Sequence, residues 1–164
     1  MKGVIVLVVK ANLKWKSLLV NIAVPLLTGS IAALITRDGF KEYDNIIQPS
    51  LSPPSWLFPI VWTILYILMG ISTYLIYEKD KTLNKPSLII YAIQLAVNFI
   101  WPIFFFGFNA YLFSFILLIT LVIFVITMII FFYKENKLAG LLQIPYFLWL
   151  LFAAYLNLSV YLLN

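Results

Sequence analysis

The sequence predicts an all-α integral membrane protein, a bundle of five transmembrane helices with the N-terminus inside and a long ordered loop between helices 1 and 2. Of its 164 residues, 64% are hydrophobic and 10% are charged, whereas about a quarter of a soluble domain is charged. Five uncharged apolar stretches approach the roughly 20 residues that a helix needs to cross a bilayer. Lysine and arginine are concentrated on one side of these stretches. These observations predict a polytopic membrane protein.

Each apolar stretch is expected to be helical, because lipid offers the backbone no hydrogen-bond partner. Pro25, Pro102 and Pro145 fall inside stretches and predict kinks, since proline lacks a backbone donor. The predicted spans are Ser17–Thr36, Leu57–Tyr77, Pro86–Phe106, Tyr111–Tyr133 and Leu138–Leu163.

The connection between the first two spans, residues 37–56, is much longer than the other three. Pro49, Pro53 and Pro54 remove backbone donors and keep their preceding residues out of the α region. A long irregular connection in a compact domain is usually functional or disordered. Its prolines and apolar residues favour order, so we expect it to cap the bundle, with the second span beginning near Pro59.

The basic residues orient the bundle. With the N-terminus inside, nine basic residues lie inside and two outside. The inside set is Lys2, Lys10, Lys14, Lys16, Lys79, Lys81, Lys85, Lys134 and Lys137, and the outside set is Arg37 and Lys41. This predicts a multi-pass protein of the cell membrane, with residues 1–16 as a basic cytoplasmic arm and 17–164 as the five-helix domain. The first loop and the C-terminus would face outward.

Several classes of chemistry are disfavoured. The five spans contain no Asp, Glu, Lys, Arg or His, and coupled transporters and pumps need such groups within the membrane. The chain has no Cys and no His, so we expect no metal site and no resident cofactor. The net charge of +5 follows from topology, so nucleic acid is not an expected partner. The sequence favours a binding protein over a conventional enzyme.

Aromatic and amide side chains recur on shared faces in the predicted outer half of the bundle. These residues lie on the second, third and fifth spans, and within each span they are about one helical turn apart. The set is Trp62, Tyr66, Asn98, Trp101, Trp149, Ala153 and Asn157. The residues leave two interpretations open: an aromatic cavity for a flat hydrophobic ligand, or helix packing combined with interfacial anchoring.

Two pairs of small residues also have open roles. Gly29 and Ala33 on the first span, and Ala92 and Ala96 on the third, have the four-residue spacing that lets helices approach closely. Each pair would serve either packing within the bundle or a homodimer seam.

Three blocks make the chain resemble the translocator protein family (TspO/MBR, tryptophan-rich sensory protein, peripheral benzodiazepine receptor). They lie in order on the second, third and fifth spans, and the resemblance extends from about Ser17 to the end. The blocks are Pro49–Gly70, with its Pro-Pro-Ser-Trp and Val-Trp-Thr; Gln94–Trp101 followed by Phe104-Phe105; and Pro145–Trp149 with Phe152-Ala153, Tyr155-Leu156-Asn157 and Leu163-Asn164.

The resemblance implies a five-helix bundle, often dimeric, that binds porphyrins such as protoporphyrin IX and isoquinoline carboxamide or benzodiazepine ligands beneath the first loop. Its role would be reception, sensing, or transport and regulation of tetrapyrroles. The implied binding residues are Tyr43, Trp62, Tyr66, Asn98, Trp101, Trp149 and Ala153.

The resemblance also leaves two alternatives to a receptor. One is light-dependent porphyrin breakdown, in which Trp62 and Trp149 would act, and the other is passive porphyrin carriage. Arg37 or Lys41 would pair with porphyrin propionates. The chain departs from the family at Leu51, where many members have Trp, and in its longer basic arm. It also lacks the C-terminal cholesterol motif of animal members, so sterol binding is not expected.

Overall fold

The computed structural model describes residues 14–164, apart from the side chain of Asp44. Within that range the chain is helical and contains no strand. Five stretches are long and apolar enough to cross a membrane, which confirms the predicted multi-pass helical bundle. They are Trp15–Ile35, Leu57–Tyr77, Pro86–Gly107, Tyr111–Glu135 and Lys137–Leu163. Most of the predicted basic arm, residues 1–13, lies outside the described residues.

Seven α-helices make up the described chain. Two short helices, α2 and α6, accompany the five long ones, and a 3₁₀ turn and a π-helical turn extend α2 and α4. In chain order the elements are α1 (Trp15–Ile35), α2 (Arg37–Glu42), the 3₁₀ turn (Tyr43–Asn45), α3 (Leu57–Tyr77), α4 (Pro86–Pro102), the π-helical turn (Ile103–Gly107), α5 (Tyr111–Glu135), α6 (Lys137–Leu141) and α7 (Ile144–Leu163).

The prolines act differently at their three positions. Pro25 lies inside α1, and Pro102 ends the α-helical part of the third span where the π-helical turn begins. The fifth span is two helices rather than one kinked helix, because the chain turns between α6 and α7. Pro145 lies in the first turn of α7, where its missing N–H costs nothing. The Asn136 side chain accepts hydrogen bonds from two backbone amides and so caps α6.

The helices form a circuit that is closed by the short α6, which packs against both α3 and α5. Helix α1 packs against α3 and α4, α4 against α5, α5 against α7, and α3 against α6. Close approach of α1 and α3 depends on two glycines, since a Cβ at Gly70 would overlap the backbone of Ile22 and a Cβ at Gly29 would overlap the ring of Tyr66. Gly29 therefore serves packing within the bundle.

The second small-residue pair has a different setting. Ala92 and Ala96 are exposed on α4, so they do not contribute to the interior of this bundle. Their assignment to a homodimer seam stays a prediction.

Candidate functional site: an aromatic cavity between α1, α3 and α4

A cavity of about 390 Å³ lies where α1 ends and α3 begins. Its walls come from α1, α3 and α4, and residues of α2 and the π-helical turn also line it. Four of the seven binding residues predicted from the sequence line it, namely Trp62, Tyr66, Asn98 and Trp101. Their one-turn spacing on α3 and α4 brings them to one place, as the helical periodicity predicts.

Trp62 is the centre of the aromatic wall. Its ring centroid lies 5.5 Å from that of Tyr66, 6.3 Å from that of Trp101 and 6.1 Å from that of Tyr146. Trp101 in turn stacks on Phe105 at 5.7 Å. Rings at these separations attract one another beyond their burial. The wall is therefore an extended π surface with fixed neighbours.

A chain of hydrogen bonds forms the polar floor of the cavity. The Tyr66 hydroxyl donates to Asn98 Oδ1 at 2.7 Å, and Asn98 Nδ2 donates to the Tyr146 hydroxyl at 3.1 Å. The Tyr146 hydroxyl donates to Gln94 Oε1 at 3.0 Å. All four side chains are buried. Because each orients the next, Tyr66 and Asn98 present a defined surface to the cavity.

The short helix α2 supplies the mouth of the cavity. Phe40, Arg37 and Lys41 all line it. The Lys41 ammonium bonds Asp38 Oδ1 at 3.0 Å, which lowers the pKa of that carboxyl below its usual value. Among the side chains that the structure describes, Arg37 forms no ion pair. A cationic guanidinium is therefore available beside an aromatic cavity.

Aromatic contacts and a close backbone approach hold α2 in place. The Phe40 ring lies 5.2 Å from that of Phe106 and 6.4 Å from that of Phe58. A Cβ at Gly39 would overlap the carbonyl oxygen of Phe106. The glycine lets α2 lie directly on the end of the third span.

The other three predicted binding residues are not among the described lining residues of the cavity, and two of them, Tyr43 and Trp149, pack against Phe58. The Tyr43 ring is 6.0 Å from that of Phe58, and its hydroxyl lies 3.1 Å from Ser52 Oγ. The Trp149 ring is also 6.0 Å from that of Phe58. The buried indole N–H of Trp149 has no hydrogen-bond partner among the described residues. Ala153 is buried on α7.

Sequence reasoning did not select Phe58, although it lies within the first quoted block. It lines the cavity and contacts both Tyr43 and Trp149, so it joins the cavity wall to the aromatic group behind it. Its position one turn before Trp62 on α3 was the available signal.

Asn157 shares the predicted stripe but has a structural role. Its Oδ1 accepts hydrogen bonds from the Trp101 indole at 3.0 Å and the Ser114 hydroxyl at 3.0 Å. Its Nδ2 donates to the Tyr111 carbonyl at 2.8 Å. These bonds join α4, α5 and α7 and fix the orientation of Trp101 in the cavity wall.

The five apolar spans and the aromatic cavity between α1, α3 and α4 define a polytopic helical-bundle protein with a candidate small-molecule site. Residues 21–163 match the TspO/MBR family. The tryptophan-rich protein TspO of Archaeoglobus fulgidus is 36% identical over 90% of this chain and 96% of its own length. Protein CrtK of Rhodobacter capsulatus is 37% identical over 74% and 78%, and the translocator protein of Bos taurus is 31% identical over 81% of each chain. The chain belongs to the TspO/MBR family.

Proposed function

We propose that this protein is a membrane receptor or sensor that binds protoporphyrin-like tetrapyrroles, and isoquinoline carboxamide or benzodiazepine-type ligands, in the aromatic cavity. The observation that carries the proposal is the wall around Trp62, which offers contiguous rings to a flat conjugated ligand. A cavity of about 390 Å³ falls within the range of small-molecule sites, and such sites combine apolar walls with a few polar groups.

The charges at the mouth support a ligand that carries carboxylates. Arg37 and Lys41 both line the cavity at its α2 side. A guanidinium can bind a carboxylate through two parallel hydrogen bonds. A porphyrin with its macrocycle against Trp62 would leave its propionates at these two cations. The uncharged carboxamide ligands would need only the aromatic wall and Asn98.

The position of Phe58 suggests how Trp149 could become part of the binding site. The ring of Phe58 separates the cavity lining from Trp149, whose indole N–H lacks a partner among the described residues. Rotation of Phe58 would enlarge the cavity toward α7 and offer that donor to the ligand. A tetrapyrrole would then contact Trp149 and Ala153 as well as Trp62.

The test is an absorbance titration of the detergent-solubilised protein with protoporphyrin IX. Each indole lost is worth about 0.5–1.5 kcal/mol of ring contact. The double variant Trp62→Phe, Trp149→Phe should therefore bind roughly 5- to 150-fold more weakly. The matched control is Trp15→Phe, Trp56→Phe, which removes two indoles that are mostly exposed and should leave the affinity unchanged. Unchanged affinity in the first variant would show that the ligand binds elsewhere.

The proposal includes a topology in which this cavity faces outward and the lysine-rich end faces the cytoplasm. The nine-to-two distribution of basic residues supports it. Because the chain has no cysteine, single cysteines at Asn45 and Lys134 give clean reporters. A membrane-impermeant maleimide should label Asn45→Cys in intact cells and label Lys134→Cys only after permeabilisation. The reverse pattern would invert the orientation.

Light-dependent porphyrin degradation is a second candidate, favoured by the position of the oxidisable Trp62 indole in the cavity wall. Illumination in air should bleach bound protoporphyrin IX faster than porphyrin with free tryptophan in detergent, and dark or anaerobic samples should not bleach. Equal rates with protein and with free tryptophan would leave binding as the only activity of the site.

A further inference from the structure

A second and larger cavity, about 980 Å³, lies at the opposite end of α1 from the aromatic site. It is a cleft between the start of α1, the end of α3 and the start of α4, and it includes part of the connection that joins α3 to α4. The proposed porphyrin site does not use it. Its two halves differ in character, with charges at the rim and apolar side chains along the groove.

The rim of the cleft has more cations than anions. Lys14, Lys16 and Lys81 line it, and Glu78 is the one carboxylate among its described lining residues. The Lys14 ammonium lies 3.2 Å from Glu78 Oε2. The adjacent Lys14 ammonium lowers the pKa of Lys81 below its usual value despite the nearby Glu78 carboxylate. One carboxylate therefore does not neutralise this group of lysines.

The other carboxylates at this end of the bundle are already paired. Asp80 and Glu135 both bind the Lys85 ammonium, at 2.8 Å and 3.2 Å. The sequence of residues 1–13 adds two lysines and no acidic residue. Within the described chain, Lys16 and Lys81 take part in no ion pair. The chain itself therefore supplies no further anion for this rim.

Away from the rim, the lining of the cleft is mostly apolar, although Asn21 and Thr73 also contribute to it. Lys16, Val20 and Val24 follow one another at single-turn spacing on α1, so the stripe rises about 12 Å from the charged rim. Val20 is 61% exposed and Val24 46% exposed. Ile89 of α4 faces the same cleft. The groove lies on membrane-spanning helices, where lipid chains surround the protein.

We propose that this cleft binds one anionic phospholipid, with its phosphate at Lys16 and Lys81 and an acyl chain along Val20 and Val24. The arrangement pairs a basic rim with an apolar groove in the direction in which a lipid lies in a leaflet. Basic pockets between transmembrane helices select anionic headgroups by charge. The apolar groove favours a lipid over a soluble phosphate, which would leave these side chains without a partner.

The test uses the full-length protein in detergent, with native mass spectrometry of bound lipid. Phosphatidylglycerol and phosphatidylcholine with identical acyl chains are the two probes. The unsubstituted protein should retain phosphatidylglycerol at least about tenfold better than phosphatidylcholine. Lys16→Gln, Lys81→Gln should abolish that preference. Glycerol 3-phosphate should not displace the bound lipid, whereas displacement at equal concentration would assign the site to a free phosphate and overturn the proposal.

Two matched variants separate the cleft from general surface charge. Lys134→Gln, Lys137→Gln removes the same charge at the same end of the bundle but outside the cleft, and should keep the preference. Val20→Trp fills the groove with all lysines present and should weaken lipid retention about tenfold, whereas Leu27→Trp, on α1 but outside the described lining, should not. Equal losses in both lysine variants, or no effect of Val20→Trp, would overturn the proposal.

Discussion

Replacing Asn157 by leucine tests whether the stripe on α7 serves the ligand or the scaffold. The substitution keeps the side-chain size and removes three hydrogen bonds, from the Trp101 indole, from the Ser114 hydroxyl and to the Tyr111 carbonyl. The Ser114 hydroxyl has one proton to donate, and in the variant this proton can bond the Tyr111 carbonyl at 2.9 Å. The buried indole N–H of Trp101 is therefore the group left without a partner.

The expected cost follows from those bonds. Hydrogen bonds between membrane helices contribute about 0.6 kcal/mol each on average, so the two bonds that are lost outright contribute about 1 kcal/mol. An unpaired buried donor costs about 1–3 kcal/mol, and the added apolar side chain offsets part of it. We expect Asn157→Leu to lower the free energy of unfolding by about 2–4 kcal/mol. Ligand affinity should fall only modestly, since the Trp101 ring stays in place but loses its fixed orientation.

The measurement is reversible unfolding in mixed micelles by a denaturing detergent, followed by circular dichroism. Leu158→Ala, next along α7 and partly exposed, is the control and should cost about 1 kcal/mol or less. Trp101→Phe completes a double-mutant cycle with Asn157→Leu, and the coupling energy should be about 0.6–1.7 kcal/mol. Unchanged stability of Asn157→Leu, or a coupling energy of zero, would refute the assignment of Asn157 to the scaffold.

Three further predictions concern the capping connection and the lysine-rich end. Gly39→Ala introduces a Cβ into a backbone carbonyl, so α2 should dock about 1–3 kcal/mol more weakly; hydrogen exchange in α2 should rise, and unchanged exchange would contradict the close approach. Asn164→Ala removes two hydrogen bonds to the Ile47 backbone, so exchange at the Ile47 amide should quicken about fivefold while the Tm stays within a degree or two; no change would mean that this contact does not hold the connection. Burial alone would lower the pKa of Lys85, but its bonds to Asp80 and a second carboxylate raise the pKa above 10.5, and the Lys85 ammonium lowers the pKa of Asp80 below 3.8. The stabilisation from the Lys85–Asp80 ion pair should be present between these two pKa values, and it should be lost as the pH rises through the folded pKa of Lys85 or falls through that of Asp80. The difference in unfolding free energy between the unsubstituted protein and Lys85→Gln should therefore be flat from about pH 5 to 9 and shrink on both sides. A constant difference at every pH would contradict this assignment.

The sequence was enough to predict the five spans because lipid forces an uninterrupted apolar stretch to be a helix. The predicted and observed bounds agree to within about two residues at every end of the five spans. The break between α6 and α7 was not predicted as such. Pro145 indicated a disturbance, but the turn also depends on Gln143, which donates to the Ser72 hydroxyl of α3 at 2.6 Å. That partner is distant in sequence, so local pattern could not reveal it.

The cavity residues show the same limit of local sequence patterns. Periodicity placed Trp62, Tyr66, Asn98 and Trp101 on converging faces, and the structure brings these four together. Asn157 satisfied the same periodicity but turns its amide toward α4 and α5. The helix face on which a side chain lies determines which neighbours it can contact. Whether that side chain binds a ligand or holds the helices together depends on whether those neighbours complete its hydrogen bonds.

Helix α1 connects the two proposed sites. It is the least enclosed of the five spans, because 11% of the residues in its most apolar stretch are buried, compared with 33–39% in the other spans. Its first half lines the basic cleft, and its last turns line the aromatic cavity. Its glycine contacts with Tyr66 and α3 leave no space to shift inward, so a displacement must be outward or along the helix axis. If a ligand at one end displaced α1 as a rigid body, the width of the cleft at the other end would change, and any coupling between tetrapyrrole and phospholipid would then be reciprocal, each altering the affinity of the other by the same factor.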